Sequence, residues 1–150
     1  MPAPALVFSD PSEGADAHGA ALTKHGKYLW IADRGRNFLW VVDTATDLIA
    51  NTIPLAGALS DDPTADLLAV SPTGSHAFMS LRGPLPLTAD PHVSTGSTPG
   101  VGVVKILQGG QNGVFEAIAP VSNVDSGGVE RADVHAMTLR VLDRSRQAGH

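Results

Sequence analysis

Apolar residues in this chain fall in short runs broken by turn residues, not at helical spacing. The clearest case is Tyr28 to Thr46. Two runs, Tyr28-Leu29-Trp30-Ile31-Ala32 and Phe38-Leu39-Trp40-Val41-Val42, are each closed by an aspartate, Asp33 and Asp43, and are separated by Arg34-Gly35-Arg36-Asn37. Runs of about five β-branched and aromatic residues between turn residues predict strands, since helices need ten or more periodic positions. The short Gly/Asn connection makes the pair antiparallel, because parallel strands require a longer crossover. Neither run alternates with polar residues, which predicts cover on both faces, as in a sheet stacked between two others.

Around this pair the pattern predicts a four-stranded unit. His18 to Thr23 reads as an innermost strand with small residues at Gly19, Ala20 and Ala21, followed by a tight turn at Lys24-His25-Gly26-Lys27. Leu48 to Leu55 reads as an outermost strand, where Pro54, which cannot donate a ladder hydrogen bond, belongs near an end or an edge. Ala5 to Ser9 reads as one further short strand.

The unit then repeats. Leu22, Thr23, Gly26, Trp30 and Arg34-Gly35 fall on Val70, Ser71, Gly74, Phe78 and Arg82-Gly83 at an offset of 48. A third start, Ala132-Asp133-Val134-His135-Ala136-Met137-Thr138-Leu139, matches Ala15 to Leu22 at an offset of 117. Self-similarity at a period in the forties predicts propeller blades. Where the first unit spends Gly35 to Asn37, the second spends Gly83 to Gly100, eighteen residues rich in Pro, Gly, Ser and Thr that predict a surface loop. Strands resume at Val101 to Leu107 and Val114 to Ala119 around an Asn112-Gly113 turn.

The stretch HGAALTKHGKYLWIADRGRNFLWVVDTATDLIANTIPL resembles the repeat of the YVTN-type β-propeller family: an inner strand, a Gly turn, a (Y/W)-(V/I)-(A/T)-(N/D) strand, V-x-V-(I/V)-D-T-x-T and an I-P-(V/L) ending. The first repeat matches over Ala20 to Leu55. In the second, Met79-Ser80-Leu81-Arg82 is a looser match and Lys105-Ile106-Leu107-Gln108 replaces the Asp-Thr. The resemblance implies seven-bladed propellers, in a family of surface, periplasmic and scaffold proteins with lactonase-like and cofactor-bearing relatives. It therefore implies a periplasmic or secreted location, although MPAPALVFSDPSEG contains no basic start and no apolar run of signal-peptide length.

The expectation is an all-β chain of β-propeller blades of four antiparallel strands, forming an incomplete ring. It is one partial propeller domain over 1–150, with a first blade at about 18–55, a second at about 66–121 carrying the insertion 83–100, and a third unit beginning at about 132–142. Because stacked repeats generally need three or more copies, the missing neighbours are expected to be blades of a longer chain or copies brought by homo-oligomerisation.

Composition narrows the function classes. A hydrophobic content of 43% and a net charge of −5 are those of a folded globular protein. Ten Lys+Arg against fifteen Asp+Glu, with no basic cluster, argue against nucleic acid and anionic membrane as partners. Without cysteine there are no disulfides, thiol nucleophiles or cysteine zinc sites.

Antiparallel order places the start of the innermost strand and the connection between the second and third strands at one end of each blade. The repeat offsets then bring His18, Asp66 and His135 to one channel mouth, with Arg34, Arg36, Arg82 and the insertion residues Asp90 and His92 on the adjoining loop face. A His/Asp/His set can bind a divalent metal or polarise an ester or lactone carbonyl. The same residue types also cap turns and bind strand backbone at such positions. Asp33 and Asp43 read as turn caps, and Trp30, Trp40, Phe38 and Phe78 as core between blades. Gly100-Val101-Gly102 opens a strand, not a helix, and lacks the third glycine of a phosphate loop. Two functions follow as expectations: a binding or scaffold module that takes a protein partner or small ligand on its loop face, and a lactonase-like hydrolase at the channel mouth.

Overall fold

The computed structural model describes Ala3, Leu6, Ser9, Asp10, residues 12–85 and residues 95–141. Of the strand expected at Ala5 to Ser9, Leu6 and Ser9 are described and are not in a strand, while Ala5, Val7 and Phe8 lie outside the described residues, as do Asp90 and His92.

Eight strands form in chain order: β1 Ala17–Leu22, β2 Tyr28–Asp33, β3 Phe38–Asp43, β4 Leu48–Pro54, β5 Ala65–Val70, β6 His76–Leu81, β7 Gly100–Leu107 and β8 Asn112–Pro120. They make two four-stranded antiparallel sheets, β1-β2-β3-β4 and β5-β6-β7-β8, each in the simple meander order of a blade. The β2–β3 hairpin pairs Tyr28 with Asp43 and Asp33 with Phe38 without irregularity, and Asn37 closes it with φ at 56°, a conformation asparagine tolerates. The outermost strands β4 and β8 end at Pro54 and Pro120, where the missing N–H costs no ladder bond.

The sheets stack face to face. Trp30, Ala32, Leu39, Val41 and Ile53 of the first sheet and Ala77, Met79, Leu81 and Val104 of the second are buried in one core. Burial alone would leave the Trp30 indole N–H unsatisfied; it donates to the Gly110 carbonyl of the β7–β8 turn at 2.7 Å, joining the sheets with a directional bond. At the inner edge the backbones of β1 and β5 meet so closely that a Cβ on Gly19 would lie 2.1 Å from the Asp66 carbonyl oxygen. Only glycine fits there, so Gly19 has a steric reason, whereas Ala20 is exposed and Ala21 half-buried.

Two expectations change. The face of β2 and β3 opposite the core, carrying Leu29, Ile31, Phe38 and Trp40, is half-exposed, because among the described residues one sheet, not two, stacks on this hairpin. Phe38 and Trp40 partly cover it themselves, edge to face at 4.8 Å, beneath the Arg36 guanidinium. Residues 131–141 contain no strand. The segment nonetheless lies against the second sheet, since a Cβ on Gly83 would lie 1.6 Å from the Ala132 carbonyl oxygen, but no neighbouring described strand offers it a ladder. Among the described residues, no helix is long and apolar enough to cross a membrane.

Candidate functional site

The same irregularity occurs at the start of both innermost strands. The β1–β2 register shifts between Ala17 and Ala20, and the β5–β6 register shifts between Ala65 and Leu68. A bulge re-aims the side chains inside it. Here the re-aimed residues are His18 and Asp66, which meet across the inner edge with His18 Nε2 3.0 Å from Asp66 Oδ1.

His135 reaches the same carboxylate from segment 131–141. Its Nδ1 lies 2.7 Å from Asp66 Oδ2, and its ring centroid is 5.7 Å from that of His18. One ligand atom from each of His18, Asp66 and His135 lies within 4.8 Å of the others. The three residues related by the repeat offsets are thus brought together in space. Ser80 Oγ fixes the backbone beside them by donating to the His135 carbonyl at 2.9 Å, while it accepts from the Leu67 amide at 3.0 Å.

Two buried guanidinium groups complete the centre. Arg82 places Nη1 2.6 Å from Asp66 Oδ2 and in contact with His135 Nδ1, and it grips Asp133 through Nε at 2.7 Å and Nη2 at 3.1 Å. Arg34 places Nε 2.6 Å from Asp16 Oδ2 and Nη1 3.5 Å from Asp66 Oδ1. Each arginine therefore joins a carboxylate at the start of its own sheet to one in the following unit: Arg34 joins Asp16 to Asp66, and Arg82 joins Asp66 to Asp133. Expected on a loop face, Arg34 and Arg82 are instead buried, because burying Asp66 demands compensating charge. The formal charges of these three aspartates and two arginines sum to −1.

Asp16 and Asp133 belong to the centre although they are not among the residues expected there. The signal was present in the aligned Ala15-Asp16-Ala17-His18 and Ala132-Asp133-Val134-His135, a carboxylate two positions before each histidine. Arg36 does different work: it pairs with buried Asp33 at 2.6 Å and with Asp10, and Asp33 chiefly holds its guanidinium above the ordinary pKa. Asp33 also accepts from the Asp16 and Arg36 amides, at 3.1 and 3.2 Å. Asp43 accepts from the Ala45 amide at 2.8 Å, so both aspartates have the capping geometry their turns suggested.

At this end of the molecule lie two further features. The β6–β7 connection is clamped at its base, where the Ser97 amide donates to the Asp62 carbonyl at 2.8 Å and Thr64 Oγ1 to the Thr95 carbonyl at 3.0 Å. A cavity of about 340 Å³ opens on the half-exposed face of the first sheet, lined by Ala15, Ala17, Ile31, Asp33, Arg36 and Trp40 with Asp10.

The donor set of His18, Asp66 and His135 suits a transition-metal ion. Beside it, the Ser80 hydroxyl is engaged by the Leu67 amide and the His135 carbonyl.

No family model matches the chain, and no curated protein matches it. Among solved structures it is similar to Kuenenia stuttgartiensis hydrazine synthase, at 16% sequence identity and a TM-score of 0.45 over 75% of this chain. The chain spans 28% of the length of that protein.

Proposed function

We propose that this chain is a YVTN-like propeller module working as a binding or scaffold unit, with a protein partner or small ligand held at the end that carries the Asp66 centre. The observation behind this reading is the asymmetry of the connections there. The β2–β3 hairpin turns in four residues, 34–37, whereas β6 and β7 are joined by 82–99, clamped at its base against Asp62 and Thr64. A rigid two-sheet support with one long connection is the arrangement in which loops carry recognition.

The test is capture by the immobilised chain from an extract of its source cells. The parent should retain a specific partner that a variant lacking residues 86–94 loses while keeping the parent's thermal unfolding profile. Equal capture by both would remove the loop-face reading.

The convergence of His18, Asp66 and His135 favours a second reading, a lactonase-like hydrolase in which a divalent metal polarises the carbonyl of an ester ring. It requires metal-dependent turnover of a lactone that disappears in Asp66→Asn. Metal-loaded protein without turnover would leave the module as a binding unit alone.

A further inference from the structure

We infer that His18, Asp66 and His135 form a site for one divalent transition-metal ion, and that this ion fastens segment 131–141 to the two sheets. The inference goes beyond partner capture and stands without it.

Three features of the centre carry it. The first is donor chemistry. One carboxylate oxygen and two imidazole nitrogens within 4.8 Å of one another make a nitrogen/oxygen set that favours zinc-like ions over magnesium or calcium, which prefer all-oxygen shells. Three protein ligands leave a coordination position for water or an anion.

The second is the state of Asp66. Its carboxylate is fully buried and its Oδ2 is held by Arg82 at 2.6 Å, so Oδ1 is fixed in position. Oδ1 has no hydrogen bond, although His18 Nε2 and Arg34 Nη1 lie 3.0 and 3.5 Å away. A buried carboxylate oxygen without a hydrogen bond retains a lone pair that an ion or a water can take. Arg82 contacts the other oxygen and His135 Nδ1, so an ion approaches from the side of His18 and Oδ1, and Arg82 orients the carboxylate as an outer-shell partner.

The third is charge and access. The formal charge of the three aspartates and two arginines, −1, becomes +1 with a divalent ion, which makes the open position favourable for an anionic ligand. His18 and His135 are 34% and 57% exposed, so both rings can adjust to an ion arriving from solvent while Asp66 stays fixed.

The experiment uses Co²⁺ as the probe, read by its visible absorption in the purified, metal-stripped chain, with Zn²⁺ as competitor. The expected result is saturable binding of one Co²⁺ per chain, displaced by Zn²⁺. Affinity should fall by about tenfold or more in His18→Ala and in His135→Ala. His76→Ala should match the parent, because His76 pairs with Glu116 elsewhere. Circular dichroism identifies any variant that fails to fold, and His135→Gln then replaces His135→Ala. Hydrogen exchange supplies a second readout, with Zn²⁺ slowing exchange of amides in 131–141. Absence of saturable binding, or binding unchanged in both histidine variants, overturns the inference. Because neither measurement involves a partner, its failure is separable from failure of partner capture.

Discussion

Arg82 Nη1 lies 2.6 Å from Asp66 Oδ2 with both side chains buried, and the same guanidinium holds Asp133 from a segment 51 residues further along the chain. A buried guanidinium shared by two carboxylates leaves either of them costly to strand. Arg82→Met should therefore destabilise the fold by about 3–5 kcal/mol in urea unfolding. Arg131→Ala, which removes a solvent-screened pair with Asp125, should cost far less. Similar costs for the two variants would show that Arg82 does not bear buried charge.

The Trp30 indole gives a second measure of how the sheets are joined. Trp30→Phe keeps most of the apolar burial but strands the Gly110 carbonyl, at an expected cost of about 1–3 kcal/mol. Trp30→Ala adds a cavity and should cost about 3–5 kcal/mol. A Trp30→Phe variant as stable as the parent in thermal unfolding would mean that the hydrogen bond contributes little beside the packing.

Gly19 tests the close approach of the innermost strands. Gly19→Ala would place a methyl group 2.1 Å from backbone rather than from a yielding side chain, so β1 and β5 must separate. The expected cost is at least the ~1–3 kcal/mol of ordinary overpacking. Gly26→Ala, where nothing lies within 4 Å, meets only the strain of a φ of 69° and should cost less.

The hairpin at Tyr28 to Asp43 was legible because composition, turn chemistry and strand length agree there. The repeat also gave the three positions that converge on the centre, since an offset along a regular array maps to equivalent places in space. The bulges were not legible. Nothing in Ala17-His18-Gly19-Ala20 or Ala65-Asp66-Leu67-Leu68 marks a register shift, which depends on pairing with β2 and β6. The burial of Arg34 and Arg82 was hidden for a related reason. An arginine after a strand reads as a surface residue until its partners, Asp16 and Asp133, are known to share its space. Segment 131–141 shows the converse: it matches β1 in sequence, yet strand structure also needs a neighbour to pair with.

Asp10 carries a pH-dependent contribution. The Ser12 hydroxyl, followed by the Ser12 amide and Arg36, lowers its pKa to about 2. A carboxyl depressed in the folded state stabilises that state above the unfolded pKa, ~3.9. The contribution is lost as pH falls through about 2. Carbon-detected NMR titration should find Asp10 still ionised at pH 3, and Ser12→Ala should move its midpoint upward. A midpoint near 4 in the parent would contradict the turn geometry.

The starts of three sequence units meet at one carboxylate, that of Asp66. The most direct measurement is the nuclear Overhauser contact between the ring protons of His18 and His135, assigned by comparison with His18→Ala and His135→Ala. With ring centroids 5.7 Å apart across Asp66, a cross-peak is expected in the parent and absent in both variants. A parent spectrum with both rings assigned and no cross-peak would place His135 away from the sheets, and the three-unit centre would not exist.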